Sequence, residues 1–343
     1  MRAVGFREHG GLDKLEVLDV PKPEVRAGEV LVRVKACALN HLDLWVREGL
    51  PGLKLTFPHI PGCDVAGEVA AVGPHVAYPE AGARVAVNPG RWCGACEWCV
   101  RGEHPLCPEY RIMGEHFSGG YAEYVAVPAA SCVELPTDFD YAEAAAAPLV
   151  FQTAWRALIT RAKVRPGEDV LILGAGSGVS TAAILIAKYA GCTVYATSSS
   201  EEKLRRAKEI GADVLINYSE MEFEKAVWEL TGKRGVDVIL EHVGEATFEK
   251  SVRALAKSGR LVFVGATTGP TAKFDLRRAF WRQVNILGST MGSQADFEEV
   301  MKLVFRRKLR PVVDSTFPLE RAREAQERLA NGEQFGKIVL TVD

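Results

Sequence analysis

The chain has 343 residues, enough for two domains with cores of their own. Lysine and arginine total 42 against 44 acids, a formal charge of −2, so no basic field is present for nucleic acid or an anionic membrane surface. No apolar run approaches the ~20 residues that span a bilayer, and Met1-Arg2-Ala3-Val4 enters a strand-like pattern directly, so a cytoplasmic protein with no membrane partner is expected.

Up to about residue 151 the pattern alternates strand and turn. Residues 29–35 alternate apolar and polar with period two; 67–73, 83–87 and 121–127 are short apolar runs bounded by Gly or Pro. These imply a β-rich domain with few helices. An Ala-rich, helix-compatible stretch runs from 144 to 161. Six short strands then follow at 169–173, 193–197, 214–217, 236–240, 260–265 and 285–288, with amphipathic helices such as 201–210 and 222–230 between them. Apolar strands alternating with helices predict a parallel sheet covered on both faces, a doubly wound dinucleotide fold. A strand-like 311–317, a helix over 319–330 and a strand over 336–341 are expected to return to the first domain. The fold class is therefore α/β, and the predicted boundaries are 1–146 for the β-rich domain, 147–308 for the dinucleotide domain and 309–343 for the return.

Four cysteines, Cys93, Cys96, Cys99 and Cys107, interrupt the first domain as C-x2-C-x2-C-x7-C. Four thiolates so close in sequence can close a tetrahedron about one zinc ion, leaving no open position for chemistry. The alternative is disulfide pairing, which across two intervening residues makes strained rings. The lobe, about 91–109, is expected to use one structural Zn2+ in place of a core of its own. Cys37, Cys132 and Cys192 read as small buried apolar residues, and Cys63 either as another or as a thiolate ligand.

The strand 169–173 runs into Gly174-Ala175-Gly176-Ser177-Gly178-Val179-Ser180 and then a helix. Glycines at a strand-to-helix turn admit a pyrophosphate to the backbone, and the helix start offers it N–H groups. Gly174, Gly176, Ser177, Gly178 and Val179 are the candidate binders. The second strand ends in Thr197-Ser198-Ser199-Ser200, with no acid at its tip to take the ribose diol. Ser198 and Lys203 suit a 2′-phosphate, so NADPH is favoured and NADH is the alternative. Val243, Val264 and Gly265 end later strands at the edge where a cofactor meets the sheet.

The chain resembles the medium-chain dehydrogenase/reductase superfamily over essentially its whole length. The resemblance rests on the cysteine lobe, on Gly62-Cys63-Asp64-Val65-Ala66-Gly67-Glu68-Val69, on Gly119-Gly120-Tyr121-Ala122-Glu123-Tyr124, on the nucleotide turn and on Gly336-Lys337-Ile338-Val339-Leu340. It implies a GroES-like catalytic domain, split in sequence around a Rossmann domain, NAD(P)-dependent hydride transfer on a small molecule, and a homodimer or homotetramer. In the zinc alcohol dehydrogenase branch a catalytic zinc is held by three side chains. At the matching places this chain has Asn40-His41-Leu42-Asp43, Gly62-Cys63-Asp64, and Pro148-Leu149-Val150-Phe151-Gln152-Thr153, which removes most of that coordination sphere.

The zinc-free quinone oxidoreductase-like branch is similar in having Asn at Asn40 and Gly-x-Asp at Gly62 to Asp64. It implies contacts of Lys203 and Tyr218 with a 2′-phosphate, and of Thr153 with the nicotinamide. The expected activity is hydride transfer to or from a carbonyl, quinone or enone, without catalytic zinc. Asn40 is then the first candidate donor to the substrate oxygen, His41 a weaker donor or proton source, and Asp64 their orienting partner. A zinc-catalysed alcohol dehydrogenase and a non-catalytic NADPH-binding protein are the alternatives.

Overall fold

The structure, a computed structural model, describes residues 1–343. Its contacts divide the chain into two units, residues 1–150 with 293–343, and residues 151–292. The first unit thus gains residues 147–150 and 293–308, which the sequence pattern had grouped with the dinucleotide domain. For the later stretch the reason lies in side chains of the helix Gln294–Phe305 and the turn after it. Phe305 packs edge-on against Phe139 at 5.3 Å, and Arg307 pairs with Glu143.

The first unit is built on a seven-stranded sheet in the order Val313–Pro318, Lys337–Thr341, Glu29–Ala38, Asp64–Val72, Arg84–Val87, Cys132–Glu134, with Tyr124–Pro128 also paired to Glu29–Ala38. Val30, Val32, Val34, Val65, Val85, Val87, Ile338 and Leu340 meet in one core. Each fully buried side chain of this kind contributes about 1.5–3 kcal/mol. The predicted return of the C-terminus is present. Lys337–Thr341 pairs antiparallel with Glu29–Ala38, Val339 facing Ala38. Ala38 in turn faces Asp64 on the next strand. Three strand ends are thereby brought level, and Asn40, Asp64 and Lys337 come with them. Asn40 caps the helix His41–Glu48.

The predicted 144–161 helix is divided in the structure. Tyr141–Ala145, capped by the Asp140 carboxylate on the Glu143 N–H, stops before Pro148, and Pro148–Trp155 begins a second helix. A residue before proline is pushed out of helical conformation, whereas proline suits a first turn. Residues Arg156–Arg161 then widen into a π-helical turn.

The second unit is a six-stranded parallel sheet: β1 Asp169–Ile172, β2 Thr193–Ser198, β3 Val214–Asn217, β4 Val236–Glu241, β5 Leu255–Phe263 and β6 Asn285–Gly288. The order is β3-β2-β1-β4-β5-β6. The chain order reverses between β1 and β4, which opens a crevice at their C-terminal ends. Val170, Leu171 and Ile172 are fully buried because helices cover both faces. At the far edge β6 has one unpaired side, and the neighbouring helix Leu276–Trp281 leaves Leu276, Phe280 and Trp281 largely exposed. No helix is long and apolar enough to cross a membrane.

Candidate active site

In the second unit, β1 ends at Gly174, which has φ +58°, a conformation that glycine takes without strain. Ser177 caps the helix Gly178–Tyr189, its Oγ accepting from the Ser180 N–H at 3.1 Å. The N–H groups of Gly178 and Val179, the first two of that helix, lie beyond reach of any helical carbonyl, as an anion at a helix start requires. Across the crevice His242 follows β4. Its Nε2 lies 3.0 Å from both Ser180 Oγ and the Leu173 carbonyl oxygen, and a side chain on Gly174 would meet its ring at 3.3 Å. A side chain on Gly265 would stand 3.1 Å from the His242 carbonyl oxygen, and Val264 N–H donates to the Glu241 carbonyl. Val243 N–H donates to the buried Glu241 carboxylate at 2.8 Å. The structure thus gathers Gly174, Gly176, Ser177, Gly178, Val179, Val243, Val264 and Gly265 at one sheet edge. His242 stands among them and carried no sequence signal, being a lone histidine after a strand.

The tip of β2 is made of hydroxyls. Ser198 Oγ accepts from the Ser200 N–H, and the Tyr218 N–H donates to the Ser198 carbonyl, so Ser198 and Tyr218 are neighbours. Lys203 lies in the first turn of the helix Glu201–Glu209, and the Tyr218 ring is about half exposed. The nearest acid along the chain, Glu201, is engaged by the Asn217 amide at 2.6 Å. Thr153 lies on the helix Pro148–Trp155, buried, with no partner for its hydroxyl; the amide of Gln152 beside it also has none.

In the first unit Asn40, Asp43, Asp64 and Lys337 form a buried polar cluster. Lys337 Nζ donates to Asn40 Oδ1 at 2.6 Å and to Asp64 Oδ2 at 2.9 Å, and Asn40 Nδ2 donates to that same oxygen at 2.9 Å. The other oxygen of Asp64 accepts from the Leu149 N–H at 2.7 Å. Behind Asn40, Asp43 accepts from the Asn40 N–H, the Tyr121 hydroxyl and the Gly62 N–H. Burial pushes the Asp43 carboxyl up to about 6, against the pull of those donors. Gly62 has φ +103°, and a side chain there would collide with the Tyr121 ring at 2.4 Å and Cys37 Sγ at 2.8 Å. Cys63 is fully buried; burial first, then Asp43 and Asp64, hold its thiol well above the ordinary value. His41 is exposed, its ring edge-on to Trp45 at 4.8 Å. His59 is buried against the Gly114 carbonyl at 3.0 Å.

In the lobe, the sulfurs of Cys93, Cys96, Cys99 and Cys107 all lie within 4.8 Å of one another. Cys93–Cys99 is 3.9 Å and Cys96–Cys99 3.5 Å, close to the roughly 3.8 Å edge of a tetrahedron with metal–sulfur bonds of about 2.3 Å. Backbone N–H groups of Ala95 and Cys96 point at Cys93 Sγ and draw its thiol down to about 7. Trp92 stacks on His104 at 4.2 Å, and His104 accepts from the Gln294 N–H at 3.1 Å, which fastens the lobe to its own unit. The donor set fits zinc. It is the one group of three or more His, Cys, Asp or Glu side chains whose ligand atoms converge.

Residues 26–137 match the alcohol dehydrogenase GroES-like domain family, and residues 178–306 the zinc-binding dehydrogenase family. An NAD-dependent alcohol dehydrogenase of Saccharolobus solfataricus is 34% identical over 99% of both chains. The chain belongs to the medium-chain dehydrogenase/reductase superfamily. A crystal structure of an NAD-dependent alcohol dehydrogenase covers all of both chains with 48% identity and a TM-score of 0.96. The human quinone oxidoreductase is 30% identical over 99% of this chain and 97% of its own. This superfamily member is an NAD(P)-dependent oxidoreductase acting on a small molecule, with a GroES-like domain and a Rossmann domain.

The resemblance matches Asn40, Cys63 and the segment 148–153 to the zinc ligands of the zinc-dependent branch. The Asn40 carbonyl oxygen accepts from an ammonium, Cys63 is held as a neutral thiol, and Leu149 is apolar. Lys337, which closes the cluster, was visible in the sequence only as part of a closing motif. Its partners lie 273 and 297 residues away in the chain.

Glu115 is a second residue without a sequence signal. Gly114 lies against the Gly62 backbone, where an added side chain would stand at 2.7 Å, and Glu115 follows it. Its side chain is 16% exposed, and burial alone pushes its carboxyl from 4.5 up to about 7. The folded state therefore holds this proton more tightly than the unfolded chain. The resulting stability is complete below about pH 4.5 and is lost as pH rises through 7. Glu115→Gln should melt with the wild type at pH 4 and above it at pH 8, by on the order of 3 kcal/mol at most. Equal melting temperatures at both pH values would contradict the assignment.

Proposed function

We propose that the enzyme carries hydride between NADPH and the electrophilic carbon of a carbonyl, quinone or enone without a catalytic zinc, while the four-cysteine lobe holds one structural zinc. The observation that carries this reading is the Lys337 ammonium seated 2.6 Å from Asn40 Oδ1 and 2.9 Å from Asp64 Oδ2. A fixed cation of the chain already occupies the donors that a metal would need. Bound NADPH supplies a hydride from its C4 position, and negative charge grows on the substrate oxygen as the C=O π bond opens. Asn40 retains one N–H for that oxygen, and such a donor in a dry site is worth roughly 3 kcal/mol at the transition state. His41, exposed on the first turn of its helix, is the weaker candidate for proton delivery, and Asp64 orients Asn40. Metal analysis tests the core of this reading: one zinc per chain supports it, and two would return catalysis to zinc.

Gly174, Gly176, Ser177, Gly178 and Val179 are assigned to the pyrophosphate, Val243, Val264, Gly265 and Thr153 to the nicotinamide end, and Ser198, Lys203 and Tyr218 to the 2′-phosphate. The hydroxyl-lined tip of β2 supports NADPH over NADH, although several relatives are named for NAD. Lys203→Ala should weaken NADPH about 10- to 100-fold and NADH hardly at all, since only the phosphate gains a charge-assisted bond. Fluorescence titration of both cofactors checks this, and equal weakening would reassign Lys203. The apolar helix Leu276–Trp281 beside the open edge of β6 supports pairing with a second copy of the chain, which sedimentation equilibrium reads directly.

A further inference from the structure

Burying an ammonium and a carboxylate costs several kcal/mol per ion, and a well-packed apolar pair of the same size serves stability as well or better. Lys337 is 3% exposed and Asp64 0%, so this pair pays that cost in full. A third group is set into it. The Asn40 amide accepts from Lys337 Nζ at its oxygen and donates to Asp64 Oδ2 from its nitrogen, and Lys337 and Asp64 are themselves bonded. The three side chains form a closed ring. Only one rotation of the amide satisfies it, because the flipped amide would set its NH2 against the ammonium and its oxygen against the carboxylate.

The ring leaves one Nδ2 hydrogen of Asn40 outside it, since one is spent on Asp64 and no other protein acceptor is bonded to that nitrogen. Asn40 is 6% exposed, against 3% for Lys337 and 0% for Asp64. The ammonium on the carbonyl oxygen draws electron density from the amide nitrogen and strengthens that hydrogen as a donor. Asp64 pulls the other way, but its second oxygen is held by the Leu149 N–H and its charge is shared. The backbone is fixed as well: the Asn40 N–H is bonded to Asp43, and the Leu39 N–H to the Ile338 carbonyl, one residue from Lys337.

We propose that Lys337 is a positioning residue of the reaction, whose ammonium, anchored on Asp64, fixes the rotation of the Asn40 amide and sets a positive charge behind the one N–H that meets the substrate oxygen. This rests on the assignment of Asn40 as that donor. The reaction then has a cation of the chain behind the growing negative charge, acting through an amide.

The test uses the full-length enzyme with NADPH and benzaldehyde, benzoquinone or methyl vinyl ketone as probe, and reads the single-turnover rate of hydride transfer. NADPH affinity and melting temperature are read beside it. Lys337→Met should slow hydride transfer about 10- to 100-fold with NADPH affinity unchanged, and Lys337→Arg should recover part of that loss. The variant combining Lys337→Met with Asn40→Ala should be no slower than Asn40→Ala alone, because Lys337 acts only through the amide. Should Lys337→Met fail to fold, Lys337→Gln keeps a donor to Asn40 Oδ1 without the charge and is held to the same expectation. Multiplying losses in the double variant, or an unchanged rate in a folded Lys337 variant while Asn40→Ala is slow, overturns the role of Lys337 alone. An unchanged rate in Asn40→Ala overturns the donor assignment beneath it.

Discussion

Asn40→Ala is expected to lower turnover about 10²- to 10³-fold while NADPH affinity stays within about threefold. The asymmetry follows from where the amide stands. It belongs to the cluster of the first unit, whereas the nucleotide turn and the hydroxyl tip of β2 belong to the second. An interaction made with charge that exists only in the transition state lowers kcat and kcat/KM together when removed. Alanine also leaves the buried Lys337 and Asp64 with one partner fewer each, so a loss of about 1–3 kcal/mol of stability is expected besides. Melting temperature and NADPH titration separate that loss from catalysis. A folded variant that binds NADPH and turns over at the wild-type rate would show that some other group faces the substrate oxygen.

Cys99→Ser is expected to abolish zinc binding and to open the lobe while the rest of the fold persists. Native mass spectrometry should read one zinc per chain in the wild type and none in the variant. Limited proteolysis should cut the variant between about residues 91 and 109 well below its global melting temperature. The lobe has little else to hold it: a two-residue strand pair at its base, one four-residue helix, and the stack of Trp92 on His104. Where a preformed core is lacking, metal-binding free energy is folding free energy. Two zinc ions per wild-type chain, or a variant that keeps its zinc and its resistance to protease, would contradict this. The first result would also revive a catalytic metal.

Much of the architecture was legible because it depends on patterns that neighbours in the chain create. The runs that became β1, β2 and β4 read as buried strands since both of their faces are covered, and the Gly-rich turn stood between a strand and a helix. The cysteine spacing announced the convergence of four sulfurs for the same reason: all four cysteines lie within fifteen residues. Where local pattern and tertiary packing disagreed, packing prevailed. The helix Gln294–Phe305 looks like the last helix of an α/β run, yet Phe305 and the following Arg307 tie it to Phe139 and Glu143 of the first unit.

The amino-acid order by itself determined the two-domain α/β architecture, the spacing that lets four cysteines converge, and the glycine-rich turn between a strand and a helix. It did not reveal that Lys337 would close a ring on Asn40 and Asp64, that His242 would stand over the glycine turn, or that Glu115 would be largely buried. Those groups meet only when strands hundreds of residues apart align in register, and the energy of a buried charge depends on what surrounds it in space. Neither partner nor dielectric is written in the local sequence, so the electrostatics of the site became visible only once the chain had folded.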